Sequence, residues 1–94
     1  MMKTCKDYGF KDQVTRSCLS ISSNIAEGYE RESNKECIHF LSYAKGSCGE
    51  FRTQLIIGGR VGFCDQEFAD WAILESKEIS SMIMALMKVR KNFS

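Results

Sequence analysis

Residues 44–50 read AKGSCGE. Two glycines three apart with a serine between them would ordinarily mark a turn. Apolar residues at helical spacing nevertheless run straight through the stretch. Cys37, Leu41, Ala44, Cys48, Phe51, Leu55 and Gly58 recur at alternating steps of four and three, which is a heptad seam. A loop has no reason to keep that phase, so the stretch reads as the middle of a helix over 34–58. One residue further on lies a flank of small side chains, Ser42, Gly46, Gly49 and Thr53. The opposite flank is Phe40, Tyr43, Ser47, Glu50 and Gln54. Each interior glycine costs roughly 0.8–1 kcal/mol against alanine. The expectation is that the helix is thinned so that a neighbouring helix can approach closely.

Working outward, Ser33 and Glu36 form the pattern of a capping box at the start of that helix. GGRVGF closes it, with Gly58, Gly59 and Gly62 available for left-handed backbone. These glycines follow a helix and lack a P-loop's lysine, so a phosphate loop is not the reading. Before it, Phe10, Val14, Cys18, Ile21, Ile25 and Tyr29 mark one face of a helix over 10–29. Beside that face runs a second small line, Ser17, Ser20, Asn24 and Gly28, the expected partner of the thinned flank. After it, Asp65 is placed to cap a helix over 66–91, with Phe68, Ala72, Glu75, Ile79, Met82, Leu86 and Val89 as its seam. Trp71, Ile83 and Met87 widen that stripe, and Lys88, Arg90 and Lys91 suit the negative end of the helix dipole. The chain has no proline, as long uninterrupted helices require. The expected fold is an all-α, up-and-down antiparallel bundle of three long helices in a single domain over 1–94.

Composition narrows the function. With 13 basic and 12 acidic residues the net charge is +1, which disfavours a dedicated nucleic-acid binder. The five cysteines, at 5, 18, 37, 48 and 64, form no C-x-x-C pair. With His39 the only histidine, no metal site and no cofactor are expected. The N-terminus shows no signal-peptide pattern and no stretch reaches membrane-span length, so a cytoplasmic protein with reduced cysteines and no membrane partner is expected.

The stretch SISSNIAEGYERESNKECIHFLSYAKGSCGEFRTQL resembles the core of the four helix bundle proteins, the 23S rRNA intervening-sequence protein family. The resemblance is carried by Ser20, Ile21, Ser23, Asn24, Ile25, Ala26, Glu27, Gly28, Arg31, Ser33, Lys35 and Glu36, and then by Phe40, Leu41, Ala44, Gly46, Ser47, Glu50, Thr53, Gln54 and Leu55. It is close over about 8–63 and one of character beyond. Ser22 and Cys37 depart from the family's usual proline and aromatic. Family members carry a further amphipathic helix ahead of DYGFKDQ, so the resemblance implies a four-helix bundle whose first helix is missing here. It implies a homo-oligomer, often a pentamer, with no enzymatic activity. A related branch comprises accessory proteins of retroelements that bind nucleic acid and reverse transcriptase.

Each polar cluster has a bland alternative. Asn24, Glu27, Glu50 and Gln54 read as a structural interhelical network rather than an acid–base pair, because no nucleophile accompanies them. Glu36 and His39 give a single E-x-x-H, whereas a di-iron bundle needs two. Lys11, Arg16, Arg31, Lys35, Lys45, Arg52 and Arg60 are candidate nucleic-acid contacts, with an ordinary mixed-charge face the favoured reading. The sequence thus points to a non-enzymatic, self-associating scaffold or adaptor with no small-molecule substrate. The alternative is an RNA- or DNA-binding accessory protein.

Overall fold

The computed structural model describes residues 7–92. Three helices follow one another: α1 (Tyr8–Glu30), α2 (Asn34–Val61) and α3 (Gln66–Lys91). Each runs antiparallel to the one before. Ser17 of α1 reaches Glu50 and Gln54 of α2, while Gly28 at the other end of α1 meets Cys37. Arg52 of α2 reaches Ser76 of α3, and Arg90 near the end of α3 returns to Asn34. α2 is the central element, with α1 and α3 packed along it. The result is a rod of 46 × 20 × 16 Å.

The cap chemistry explains most helix ends. Asp7 accepts the Phe10 N–H at 2.8 Å and starts α1. Ser33 accepts the Glu36 N–H at 3.1 Å and starts α2. The expected capping box is one-sided, because the Glu36 carboxylate faces the Ser33 hydroxyl at 3.5 Å rather than the backbone. Ser33→Ala should cost about 1 kcal/mol. Urea unfolding would show this as a lower midpoint with an unchanged slope. Asp65 occupies the N-cap position of α3, but its side chain makes no cap hydrogen bond. α2 ends three residues later than its sequence suggests. Among the described residues only Gly62, at φ 85°, uses left-handed backbone. Gly58 and Gly59 are helical, and each lies against a neighbour: the Phe10 ring and the Ala69 methyl respectively.

All seven seam residues of α2 are buried. The seam of α1 is displaced toward its small line. Phe10, Val14 and Ile21 are buried, and so are Ser17 and Gly28, whereas Tyr29 is exposed beneath the Arg90 guanidinium. The seam of α3 is also displaced. Ala69, Ala72, Ser76 and Ile83 face α2, while Glu75, Met82, Leu86 and Val89 face outward. The cause is that apolar residues cover far more than one side of α3. A line drawn through their middle falls between the face α2 covers and a second face that it does not.

Candidate interaction surfaces

Three surfaces carry the residues that the sequence singles out. The first is a polar ladder between α1 and α2. The buried Ser17 hydroxyl lies 2.9 Å from Glu50 Oε1 and 3.0 Å from Gln54 Oε1. It has one proton, which the carboxylate takes more strongly; Gln54 with its amide turned end for end would donate to the same oxygen. Ser20 and Ser47 share a hydrogen bond of 3.0 Å, and Asn24 donates to the Ser20 carbonyl and hydroxyl. This corrects the expected network of Asn24, Glu27, Glu50 and Gln54. Glu27 turns away to Arg31 at 2.6 Å, and Asn24 bonds within its own helix. The groups that join the helices are Ser17 with the expected Glu50 and Gln54, and Ser20 with Ser47. The signal of the serines was present as helical spacing of short polar side chains, but it reads equally well as simple close packing.

The second surface is the thinned flank of α2. Of the small residues expected at close helix packing, Gly28 and Ser20 do face α2. A Cβ at Gly28 would lie 3.2 Å from the Cys37 carbonyl and the Phe40 Cβ. Their partner is the flank of Phe40 and Ser47, not that of Ser42, Gly46, Gly49 and Thr53. A Cβ at Gly46 or Gly49 would meet nothing within 4 Å. Helix phase forces this outcome: α1 and α3 occupy the two shoulders of the seam, and the thinned flank points away from α1.

The candidate cations divide accordingly. Arg16 pairs with Asp12 at 3.1 Å, and Arg31 with Glu27 while it covers the Phe40 ring, so both are engaged within the α1–α2 shoulder. Lys11 is half-buried on α1. Lys35, Lys45, Arg52 and Arg60 all fall on the thinned side of α2, which carries no acidic residue in that phase. Lys88 and Lys91 of α3 join Lys45 around a shallow groove with Ser42, Met84 and Met87. Sequence reasoning assigned these two lysines to the helix dipole and missed their meeting with Lys45, which depends on how α3 lies on α2. Arg52 donates to Ser76 at 3.1 Å. Burial pushes the Cys48 thiol up, against the opposing pull of Arg52; Cys18 adds to the rise and Lys45 opposes it. A buried, protonated thiol of this kind is packing material rather than a nucleophile.

The third surface is the outer face of α3. Trp71, Leu74, Met82 and Val89 are 54%, 64%, 58% and 48% exposed. Glu75 and Glu78 sit among them, both exposed. Beside this ridge an apolar groove between α1 and α3 encloses about 190 Å³ and is lined by Cys18, Ile21, Phe51, Trp71, Ala72, Glu75, Ser76 and Ile79.

His39 shares a hydrogen bond of 2.7 Å with Tyr43 on the exposed side of α2. Among the described residues, no three of His, Cys, Asp and Glu gather where a metal ion could be held. No described helix is long and apolar enough to cross a membrane.

A family model for the 23S rRNA-intervening sequence protein matches residues 1–85. The chain belongs to that family. A crystal structure of a protein of unknown function from the S23 ribosomal protein family of Bacteroides thetaiotaomicron superposes with a TM-score of 0.82 at 24% identity. The match covers 87% of this chain and 76% of that one. At that identity the likeness establishes the all-α bundle and nothing finer. No curated protein matches the chain. Within the family's helical bundle, the Ser-Asn-Ile-Ala-Glu-Gly motif of residues 23–28 supports the ladder from α1: Asn24 braces Ser20, and Gly28 lets Cys37 and Phe40 of α2 come close. The Gly-Ser motif divides its labour: Ser47 joins the ladder and Gly46 leaves the thinned flank bare.

Proposed function

We propose that this protein acts as a self-associating helical scaffold, with interaction rather than catalysis as its work, in a cytoplasmic setting. The observation that carries the proposal is the outer face of α3. A small monomer seldom leaves a contiguous row of tryptophan, leucine, methionine and valine half in water, because each would gain on the order of 1 kcal/mol from completing its burial. A second copy of the chain is the partner that is always at hand. The polar ladder supports the same reading from the other side: its carboxylate, Glu50, is spent on Ser17, and so it holds α1 and α2 in register.

A second reading rests on the thinned side of α2. Lys35 to Arg60 spans about 38 Å at 1.5 Å per residue, a length suited to a nucleic-acid backbone. The overall charge of +1 conceals this segregation. Size-exclusion chromatography with light scattering, on protein purified without nuclease and read at 260 and 280 nm, separates the two. The scaffold reading expects a defined oligomer, free of nucleic acid, whose mass is the same at 50 mM and 500 mM salt. Material that carries 260 nm absorbance and sheds it in high salt would give the nucleic-acid reading first place, since each phosphate contact makes binding salt-dependent. A monomer at every concentration would overturn the scaffold reading.

A further inference from the structure

Lys45, Lys88 and Lys91 border one groove between α2 and α3, and no carboxylate lines it. The groove encloses about 260 Å³, and Ser42, Met84 and Met87 complete its lining. Each helix contributes side chains from a single face: Ser42 with Lys45 on α2, and Met84 with Met87, Lys88 and Lys91 on α3. Side chains lean toward the N-terminus of their own helix. Because α2 and α3 are antiparallel, Lys45 and Lys91 lean toward one another along the groove. Neither Lys45 nor Lys88 forms an ion pair with a described residue, and the Ser42 hydroxyl makes no hydrogen bond to one. The dipole of α3 favours positive charge in its last turn and accounts for Lys88 and Lys91. It does not account for Lys45, which stands in the interior of α2. Gathering like charges is unfavourable, and an anion held between them offsets the repulsion.

We propose that this groove binds the phosphate group of a small phosphomonoester. Charge decides the class of ligand. A carboxylate or a phosphodiester brings one negative charge to the site, whereas a phosphomonoester brings close to two, with three acceptor oxygens. Lys45 and Lys88 supply the point charges that hold phosphate, and Ser42 supplies a hydroxyl donor. Lys91 adds positive charge at the far end. Met84 and Met87 form an adaptable apolar wall for the carbon body of the ligand. The groove shares Lys45 with the nucleic-acid reading above, but the two make different demands. A nucleic-acid backbone needs cations spread along its length, while Lys88 and Lys91 lie within one helical turn and Lys45 leans in from across the groove. The site belongs to one protomer and does not depend on self-association.

Calorimetric titration of the protein with phenyl phosphate tests this. Benzoate and dimethyl phosphate serve as monoanions, and an oligonucleotide without terminal phosphates serves as the backbone. Phenyl phosphate should bind roughly 10-fold tighter than either monoanion. Lys45→Gln and Lys88→Gln should each weaken it roughly 5-fold, and the double variant should show no binding at about 10 mM ligand. Lys88→Arg, which keeps the charge, should stay within about twofold of the parent protein. So should Lys77→Gln, an exposed lysine of α3 outside the groove. Helical circular dichroism should be unchanged throughout; if Lys45→Gln loses helicity, the exposed Lys88→Gln carries the test alone. The proposal is overturned if the parent protein fails to bind phenyl phosphate, or binds dimethyl phosphate equally well. It is also overturned if Lys77→Gln weakens binding as much as Lys88→Gln, which would make the effect one of net charge. An oligonucleotide that binds tighter than phenyl phosphate and displaces it would assign these lysines to a nucleic-acid backbone instead.

Discussion

Leu41→Ala should lower the free energy of unfolding by about 3 kcal/mol, because it opens a cavity on both sides of the central helix. Leu41 is wholly buried in the α2 seam, in the core cluster that includes Val14 of α1 and Ile83 of α3. In a bundle whose outer helices each depend on α2, the loss is felt by both interfaces. A chain of 94 residues has a total stability of roughly 5–14 kcal/mol, so this one change removes a large share. The melting temperature should fall by about 15 °C. Leu19→Ala is the matched control: the same side chain, on α1, is 60% exposed and should change stability by less than about 0.5 kcal/mol. Equal losses at the two positions would mean that α2 is not the centre of the core.

The same glycine-to-alanine change should have opposite signs at two places in α2. At Gly49 the new methyl enters open space, so the helix gains about 0.8–1 kcal/mol in propensity. At Gly58 the methyl falls within the Phe10 ring, which is itself held against Phe63 at a centroid distance of 5.5 Å. Displacing that ring costs roughly 1–3 kcal/mol, which outweighs the propensity gain. Thermal melts of dilute protein, where the protomer is the unfolding unit, should place Gly49→Ala above the parent and Gly58→Ala below it. A melting temperature for Gly49→Ala below the parent's would show that the thinned flank is occupied within the protomer.

The three helices and the whole α2 seam were legible in the sequence, because the central helix of a bundle is pinned from both sides. Its heptad residues have one face to occupy, and Cys37 through Gly58 occupy it without exception. The family motifs were legible for the same reason: Ser20, Gly28 and Ser47 each sit where spacing along one helix dictates. The seam of α3 was not. Its apolar arc spans two faces, and only packing against α2 chose Ala69, Ala72, Ser76 and Ile83 for the interior and left Trp71 and Met82 outside. Periodicity reports which residues share a side of a helix; it carries no information about how many partners that side has.

The same division holds for the polar and charged residues. Sequence alone determined the helices, their order, the Ser33 cap and the absence of paired cysteine ligands, since these follow from chemistry within a few residues of each position. Tertiary structure decided that Glu50 answers to Ser17 rather than to Asn24, that Lys45 meets Lys88 and Lys91, and that the glycines of AKGSCGE face open space rather than a neighbouring helix. Each of those outcomes depends on the rotation of one helix about its axis relative to the next. That rotation is set by the packing of the whole interface, to which no single stretch of sequence holds the key.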